Sequence, residues 1–331
     1  MPPIGREAIG REPAGPAVGC AGLLVEDTFC GPLAALPPAG SLLALHDMPV
    51  RAGGCAANVA IDLTKQGITV DLAGCVGRDG AADALLKTFA RHDIGSSSVV
   101  RVEQFPTSRT IILLIEGQDR RYLHVSGANN AFTVDQLSRE WLSSLKVFYL
   151  GGLFALPGID LSRLAALLAF CREADVKTVV DVVVPHGQAG MAQLKPLLPL
   201  IDVFLPNDDE ARAFTGLADP FDQLRAFADA GASTVIVTRG GLGSVAIRDG
   251  KTWSCGAYAM EVVDPSGSGD AFTSGVIRSL LQGWDLPRTL RYASAIGASA
   301  TRAAGTTDSV FTTAAAEAFV AEHPLTVTEG R

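Results

Sequence analysis

From about residue 176 onward, short β-branched runs alternate with longer amphipathic ones, and this alternation limits the fold more than any other feature. VKTVVDVVV (176–184) and IDVFLPN (201–207) have the apolar density of buried strands. DDEARAFTG follows the second with helical spacing, and DQLRAFADAG (222–231) is helical and ends at a glycine, as helices often do. STVIVTRGG (233–241) returns to strand. Strands that alternate with helices predict an α/β fold: a doubly wound, mostly parallel sheet with helices on both faces.

Residues 41–128 follow another pattern. SLLALHDMPVRAGG, TSRTIILLIEG and RRYLHVSG are strand-like, with EGQDRR (116–121) as the turn of a hairpin. Between the first and second lie a helix (CAANVAIDLTKQG, 55–67), a strand (ITVDLAGCVG, 68–77) and another helix (AADALLKTFARHDIG, 81–95). The expectation is a small β-sheet lid, with strands at about 41–52 and 107–128, inserted in a single domain over 17–325. Residues 1–16, rich in Gly and Pro, form a disordered lead-in without the apolar core of a secretory signal.

Composition excludes several classes. Net charge is −8 and pI about 5.2, against a nucleic-acid surface. No apolar run reaches the length of about 18 residues that a membrane span requires. The six cysteines form no C-x-x-C pair and no zinc spacing, so they read as reduced thiols, with the cytoplasm as the default location.

The chemistry concentrates in EVVDPSGSGDAFTSG (261–275). MEVVD reads as a strand ending at Asp264, and GDAFTSGVIRSLLQG as a helix that starts near Gly269 or Asp270. Amides at a helix start attract phosphate oxygens, and glycine lets the backbone approach a ligand. An aspartate there repels an anion, unless it accepts the proton of a hydroxyl that attacks a phosphate. The plainer reading is a loop with Asp270 as helix cap. Three other motifs fail: Phe272 stands where the dinucleotide fingerprint needs its third glycine, Val245 where a Walker A loop ending in DGKT (249–252) needs its first, and Ser266 where a nucleophile elbow needs a glycine. Asp249-Gly250 is instead a hairpin turn between SVAIR and TWSCG.

Four segments together resemble the ribokinase-like (PfkB) family of sugar and nucleoside kinases. DPSGSGDAFTSG is similar to its C-terminal signature and AGGCAANVAIDLTKQG (52–67) to its N-terminal one. PNDDEA (206–211) resembles its N-x-x-E element, and VTRGGLGSVA (237–246) its T-x-G-x-x-G nucleotide segment. The resemblance implies Asp270 as catalytic base, with Gly267, Ser268, Gly269 and Asp270 forming an anion hole. It implies Asn207 and Glu210 holding Mg2+ through water, where a capping box is the plainer account. Thr238, Gly240 and Gly243 would line the ATP site, with Ser294 on a helix along the adenine. Asp27, after the first strand, and Gly53, Gly54 and Asn58 would bind the sugar; Arg109, Arg121 and His124 on the lid could reach it. Asp264, Ser266, Gly305 and Ser309 resemble a K+ site.

There are departures from the family pattern. Pro265-Ser266 and Ser268 replace Thr-Thr and Ala, Cys55 stands where ribokinase carries a lysine, and YLGGLF (149–154) lacks an acid. The aspartate of VVDVVVPH is not followed by the Asn and Arg of keto-sugar acid kinases. Three functions follow: an ATP-dependent kinase of a small fructose- or ribose-like sugar; a phosphosugar or nucleoside kinase, the former needing cations such as Arg109 or Arg121; and a non-catalytic sugar or nucleotide sensor. Leu43, Leu45, Ile112 and Leu114 could pair two lids in a homodimer.

Overall fold

The structure is a computed structural model and describes residues 16–118, 120–185 and 190–330; residues 1–15 of the expected lead-in lie outside this set. Fourteen strands form two sheets among the described residues. The strands are β1 (Val18–Gly22), β2 (Val25–Leu33), β3 (Val50–Gly53), β4 (Val70–Val76), β5 (Gly95–Arg101), β6 (Arg109–Ile115), β7 (Arg121–Val125), β8 (Val147–Leu153), β9 (Lys177–Val182), β10 (Val203–Phe204), β11 (Thr234–Thr238), β12 (Ser244–Arg248), β13 (Lys251–Cys255) and β14 (Val327–Gly330). The main sheet has the order β14-β13-β12-β11-β10-β9-β8-β1-β4-β5. It is parallel from β5 across to β11, and antiparallel at β12 to β14. The continuous apolar runs of β1 and β8 are buried along their whole length, because helices cover both faces.

The second sheet has the order β3-β2-β6-β7. It confirms the small sheet but corrects its strands. Residues 41–49 carry no strand, and only Val50–Gly53 pairs. The central lid strand is β2, parallel to β6 and antiparallel to β3. Asp27 therefore sits within a lid strand, not after the last residue of β1. Ile112 faces inward at 2% exposure; the outward apolar residues of β6 and β7 are Ile111, Leu123 and Val125.

Helix Cys55–Lys65 leads back from the lid into the main layer, and helix Ser268–Leu281 packs beside it and against helix Leu286–Ala300. Small residues permit this close approach: a Cβ on Gly275 would lie 2.8 Å from the Ala293 Cα. Gly267 caps helix Ser268–Leu281 in the left-handed region at φ 77, so Asp270 lies in its first turn and is not its cap. Met260–Asp264 forms no strand; Val262 and Val263 are exposed at 61% and 58%. No helix among the described residues is long and apolar enough to cross a membrane.

Candidate active site

Two cavities open at the carboxyl ends of the parallel strands, where ligands bind in open α/β sheets. Leu23, Phe154 and Val183 directly follow β1, β8 and β9 and line the larger, of about 770 Å³, between the main sheet and the lid. Thr238, the last residue of β11, lines the smaller, of about 220 Å³. The segment 265–270 is the wall between them. Ser266 and Asp270 face the larger cavity; Pro265, Ser268 and Gly269 face the smaller.

In the larger cavity Asp270 is held by Asn58, whose Nδ2 donates to Asp270 Oδ2 at 2.7 Å. The Asn58 amide is itself oriented, because the Thr306 hydroxyl donates to its Oδ1 at 2.9 Å. Burial raises the Asp270 carboxyl above the ordinary carboxylate range, while hydrogen bonds from Asn58 and the Cys55 thiol pull it back. A partly desolvated carboxylate held in place by such bonds is suited to take a proton. Cys55 Sγ and carboxylate oxygens of Asp181 and Asp270 lie within 4.8 Å of one another. Asp181 is fixed by the Tyr149 hydroxyl and by the Gly152 amide at 2.6 Å. Its carboxyl is pushed well up, first by burial and then by the charge of Asp270.

Asp27 enters from the lid at 6% exposure, and burial raises its carboxyl to about 6. A Cβ on Gly53 would collide with the Asp27 carboxylate, so Gly53 makes room for Asp27 and does not itself line the cavity. Gly54 does, at φ 88. Arg109 does not: it pairs with Glu26 at 3.2 Å and reaches toward Asp79 at 3.9 Å. Strand alternation puts Thr110 on the cavity side instead, where its hydroxyl meets His124 Nδ1 at 3.0 Å. Arg121 also points elsewhere, to Gln118.

Gly240, Gly243 and Ser294 line the smaller cavity with Thr238. Gly243 is also needed by the fold: a Cβ there would strike the Cys255 carbonyl of the hairpin, while its bare backbone forms cavity wall. The two glycines flanking Ser268 differ. Gly269 opens on free space, whereas a Cβ on Gly267 would strike the Thr306 carbonyl. The Ser268 amide donates to Pro265 O at 3.3 Å, a long bond that closes the turn. The next amides, those of Gly269 and Asp270, have no backbone acceptor in a preceding turn, which leaves donors for an anion.

Asn207 and Glu210 form a complete capping box, with both reciprocal bonds at 2.9 Å. Burial raises Glu210 to about 7, and the charge of Asp270 pushes in the same direction. Acids that repel one another across a site are relieved by a divalent cation, so the donor set fits Mg2+ held through water. Asp264, fully buried, accepts from the Ser266 amide at 2.9 Å and the Gly305 amide at 3.2 Å. The buried Ser266 hydroxyl has no partner. Ser309 does not join this group; its hydroxyl donates to the Ser299 and Ala300 carbonyls at 2.7 and 3.0 Å.

Sequence reasoning missed Thr110, Thr306, Phe154 and Tyr122. Thr110 carried a signal, since it alternates with Arg109; Thr306 carried none, because its partner is 248 residues away.

Residues 27–313 match the model of the pfkB family of carbohydrate kinases. The chain is 28% identical over 251 residues to an ATP-dependent 6-phosphofructokinase of Thermoanaerobacterium thermosaccharolyticum, covering 74% of this chain and 77% of the relative. It is 26% identical over 266 residues to a ribokinase of Haemophilus influenzae, covering 78% and 84%. A putative ribokinase II from E. coli, solved with ATP and Mg2+, shares the fold with a TM-score of 0.79 at 19% identity, covering 93% of this chain and 100% of that one. The chain belongs to the pfkB family of carbohydrate kinases, and is a sugar or nucleoside kinase of ribokinase-like fold.

Proposed function

We propose that the protein transfers the γ-phosphoryl group of ATP to a hydroxyl of an unphosphorylated sugar or sugar-containing acceptor. The observation that carries this reading is the shared wall: Asp270 faces the acceptor cavity while its neighbours Ser268 and Gly269 face the other. The acceptor binds against Asp27, Gly54 and Asn58, and ATP against Thr238, Gly240, Gly243 and Ser294. The hydroxyl oxygen attacks the γ-phosphorus in line, its proton passes to Asp270, and ADP leaves. The 267–270 amides face the charge on the transferring group. Mg2+, when bound near Asn207 and Glu210, supplies charge neutralisation on the phosphates. Asp264 and the orphaned Ser266 hydroxyl are the residues to which K+ would come. Two copies would pair through the outward face of the lid, and the enzyme would act in the cytoplasm.

Among the described residues of the acceptor cavity there is no Lys or Arg, which favours this reading over a phosphosugar kinase. Asp270→Asn tests the mechanism. Loss of a general base lowers turnover about 10²- to 10⁴-fold, with ATP affinity retained by calorimetry. A variant with near-normal kcat would sink the mechanism, and ATP binding without turnover over a broad acceptor panel would favour a sensor.

A further inference from the structure

The acceptor cavity has two chemically different ends. Its volume, about 770 Å³, lies toward the upper end of the range of about 300–1,000 Å³ for sites that engulf multi-ring ligands. Asp27, Asn58 and Asp270 supply the polar end. The remainder mixes apolar side chains with polar ones such as His124, Ser126 and Asn130, and it includes two large rings carried by different layers: Tyr122 on β7 of the lid and Phe154 directly after β8 of the main sheet.

Both rings wall the cavity, Tyr122 from the lid and Phe154 from the edge of the hydrophobic core. Tyr122 is 52% exposed. Phe154 sits at φ 77. Of the four non-glycine residues at positive φ among the described residues, the other three are aspartates, Asp93, Asp175 and Asp249, a residue type that tolerates this region. A bulky aromatic held there is strained, and such strain gathers at ligand sites. Phe214 braces Phe154, with ring centroids 5.5 Å apart. Arg120 braces Tyr122, lying 5.8 Å from its ring centroid and donating to its hydroxyl.

A lone monosaccharide can lay one C–H face on one ring but has no second flat group for a ring on the opposite layer, and a sugar phosphate would meet two carboxylates and no lining Lys or Arg among the described residues. Resting on the kinase reading above, we propose that the acceptor is a nucleoside. Its ribose sits against Asp27 and Asn58, its primary hydroxyl lies at Asp270, and its base is inserted between Tyr122 and Phe154. The new bond joins the primary hydroxyl oxygen to the γ-phosphorus, the bond from that phosphorus to the β–γ bridging oxygen breaks, and the hydroxyl proton goes to Asp270.

The test is ADP release by the full chain with ATP and Mg2+, offered adenosine, guanosine, cytidine, ribose, fructose and fructose 6-phosphate. At least one nucleoside is expected to exceed ribose at least tenfold in kcat/KM. Tyr122→Ala is expected to raise the KM of that nucleoside about tenfold, the scale of one lost ring contact. Its kcat should change far less, because the reacting hydroxyl lies at the other end, and Tyr122→Phe should restore KM. Ribose, fructose or fructose 6-phosphate used as well as every nucleoside would overturn this inference and leave the kinase reading standing. An unchanged nucleoside KM in Tyr122→Ala would overturn it too. No ADP release with any acceptor would bring down the kinase reading itself.

Discussion

Replacing Asp27 with Asn should make the protein more stable at neutral pH and worse at binding its acceptor. Asp27 is 6% exposed, and burial, with a further push from Asp270, raises its carboxyl from an ordinary 3.8 to about 6 against the opposing hydrogen bond of Thr110. The folded state therefore holds this proton to higher pH than the unfolded chain does. The resulting stability is fully present below about pH 4 and is lost as pH rises through 6. At about 1.36 kcal/mol per pKa unit the loss totals on the order of 3 kcal/mol, a large part of a typical folding free energy of about 5–15 kcal/mol. About 2 kcal/mol of it falls between pH 4.5 and 7.5. Asn carries no charge at any pH. Any constant effect of the substitution, such as an altered bond to Thr110, shifts the whole curve without changing its slope. The difference in unfolding free energy between Asp27→Asn and the natural protein should thus grow by about 2 kcal/mol from pH 4.5 to 7.5. Urea unfolding of both at four pH values in that interval measures it. The other raised acids, Asp270, Glu210, Asp181 and Asp62, are present in both proteins and largely cancel. Parallel stability curves would refute the reasoning, because they would mean Asp27 ionises in the fold as freely as in the unfolded chain.

Two further substitutions examine the support of Asp270. Thr306→Val removes the donor that fixes the Asn58 amide, so the amide can turn its oxygen toward Asp270. The expected fall in kcat is about tenfold, the worth of one buried hydrogen bond, with Thr306→Ser close to normal; a Val variant within twofold in steady-state kinetics would contradict it. Gly267→Ala places a Cβ at φ 77 against the Thr306 carbonyl. It should cost about 1–3 kcal/mol, read as a lower Tm, and reduce kcat more than it raises the acceptor KM. An unchanged Tm would show that the turn relaxes freely.

What the sequence made legible, and what it did not, divides by how far away the deciding partner lies. The helix Ser268–Leu281 was readable because its apolar positions and its Gly-rich start are local. The β12–β13 hairpin was readable because Asp249 and Gly250 carry the turn geometry themselves, at φ 51 and 73. The lid failed differently at its two ends. SLLALHDMPV has strand composition, yet residues 41–49 form no strand and stay coil. VEDTFCGPL holds Asp27, expected to follow the first strand, yet it becomes an inner lid strand, because β6, some 80 residues on, pairs with it in parallel. The same rule governs MEVVD, whose apolar run meets no neighbouring strand; Val262 is left exposed as part of the smaller cavity's wall.

The site residues obey a finer version of that rule. Residue type pointed to Asp270 and Asn58: an acid beside the Gly-rich start of a helix, and an amide on an otherwise apolar one. It pointed to Arg109 for its charge, and strand parity then placed the neighbouring Thr110 in the cavity. Parity cannot be fixed until the sheet has a known inside, and here the inside is set by the main sheet lying beneath the lid. Thr306 shows the extreme. Nothing near it in sequence marks it, yet its hydroxyl reaches Asn58, its carbonyl lies where a Gly267 Cβ would be, and its neighbour Gly305 binds Asp264. One turn of loop thus ties the helix that holds Asp270 through Asn58 to the loop between the two cavities. A change at Thr306 should be felt on both sides of the wall, although neither motif contains it.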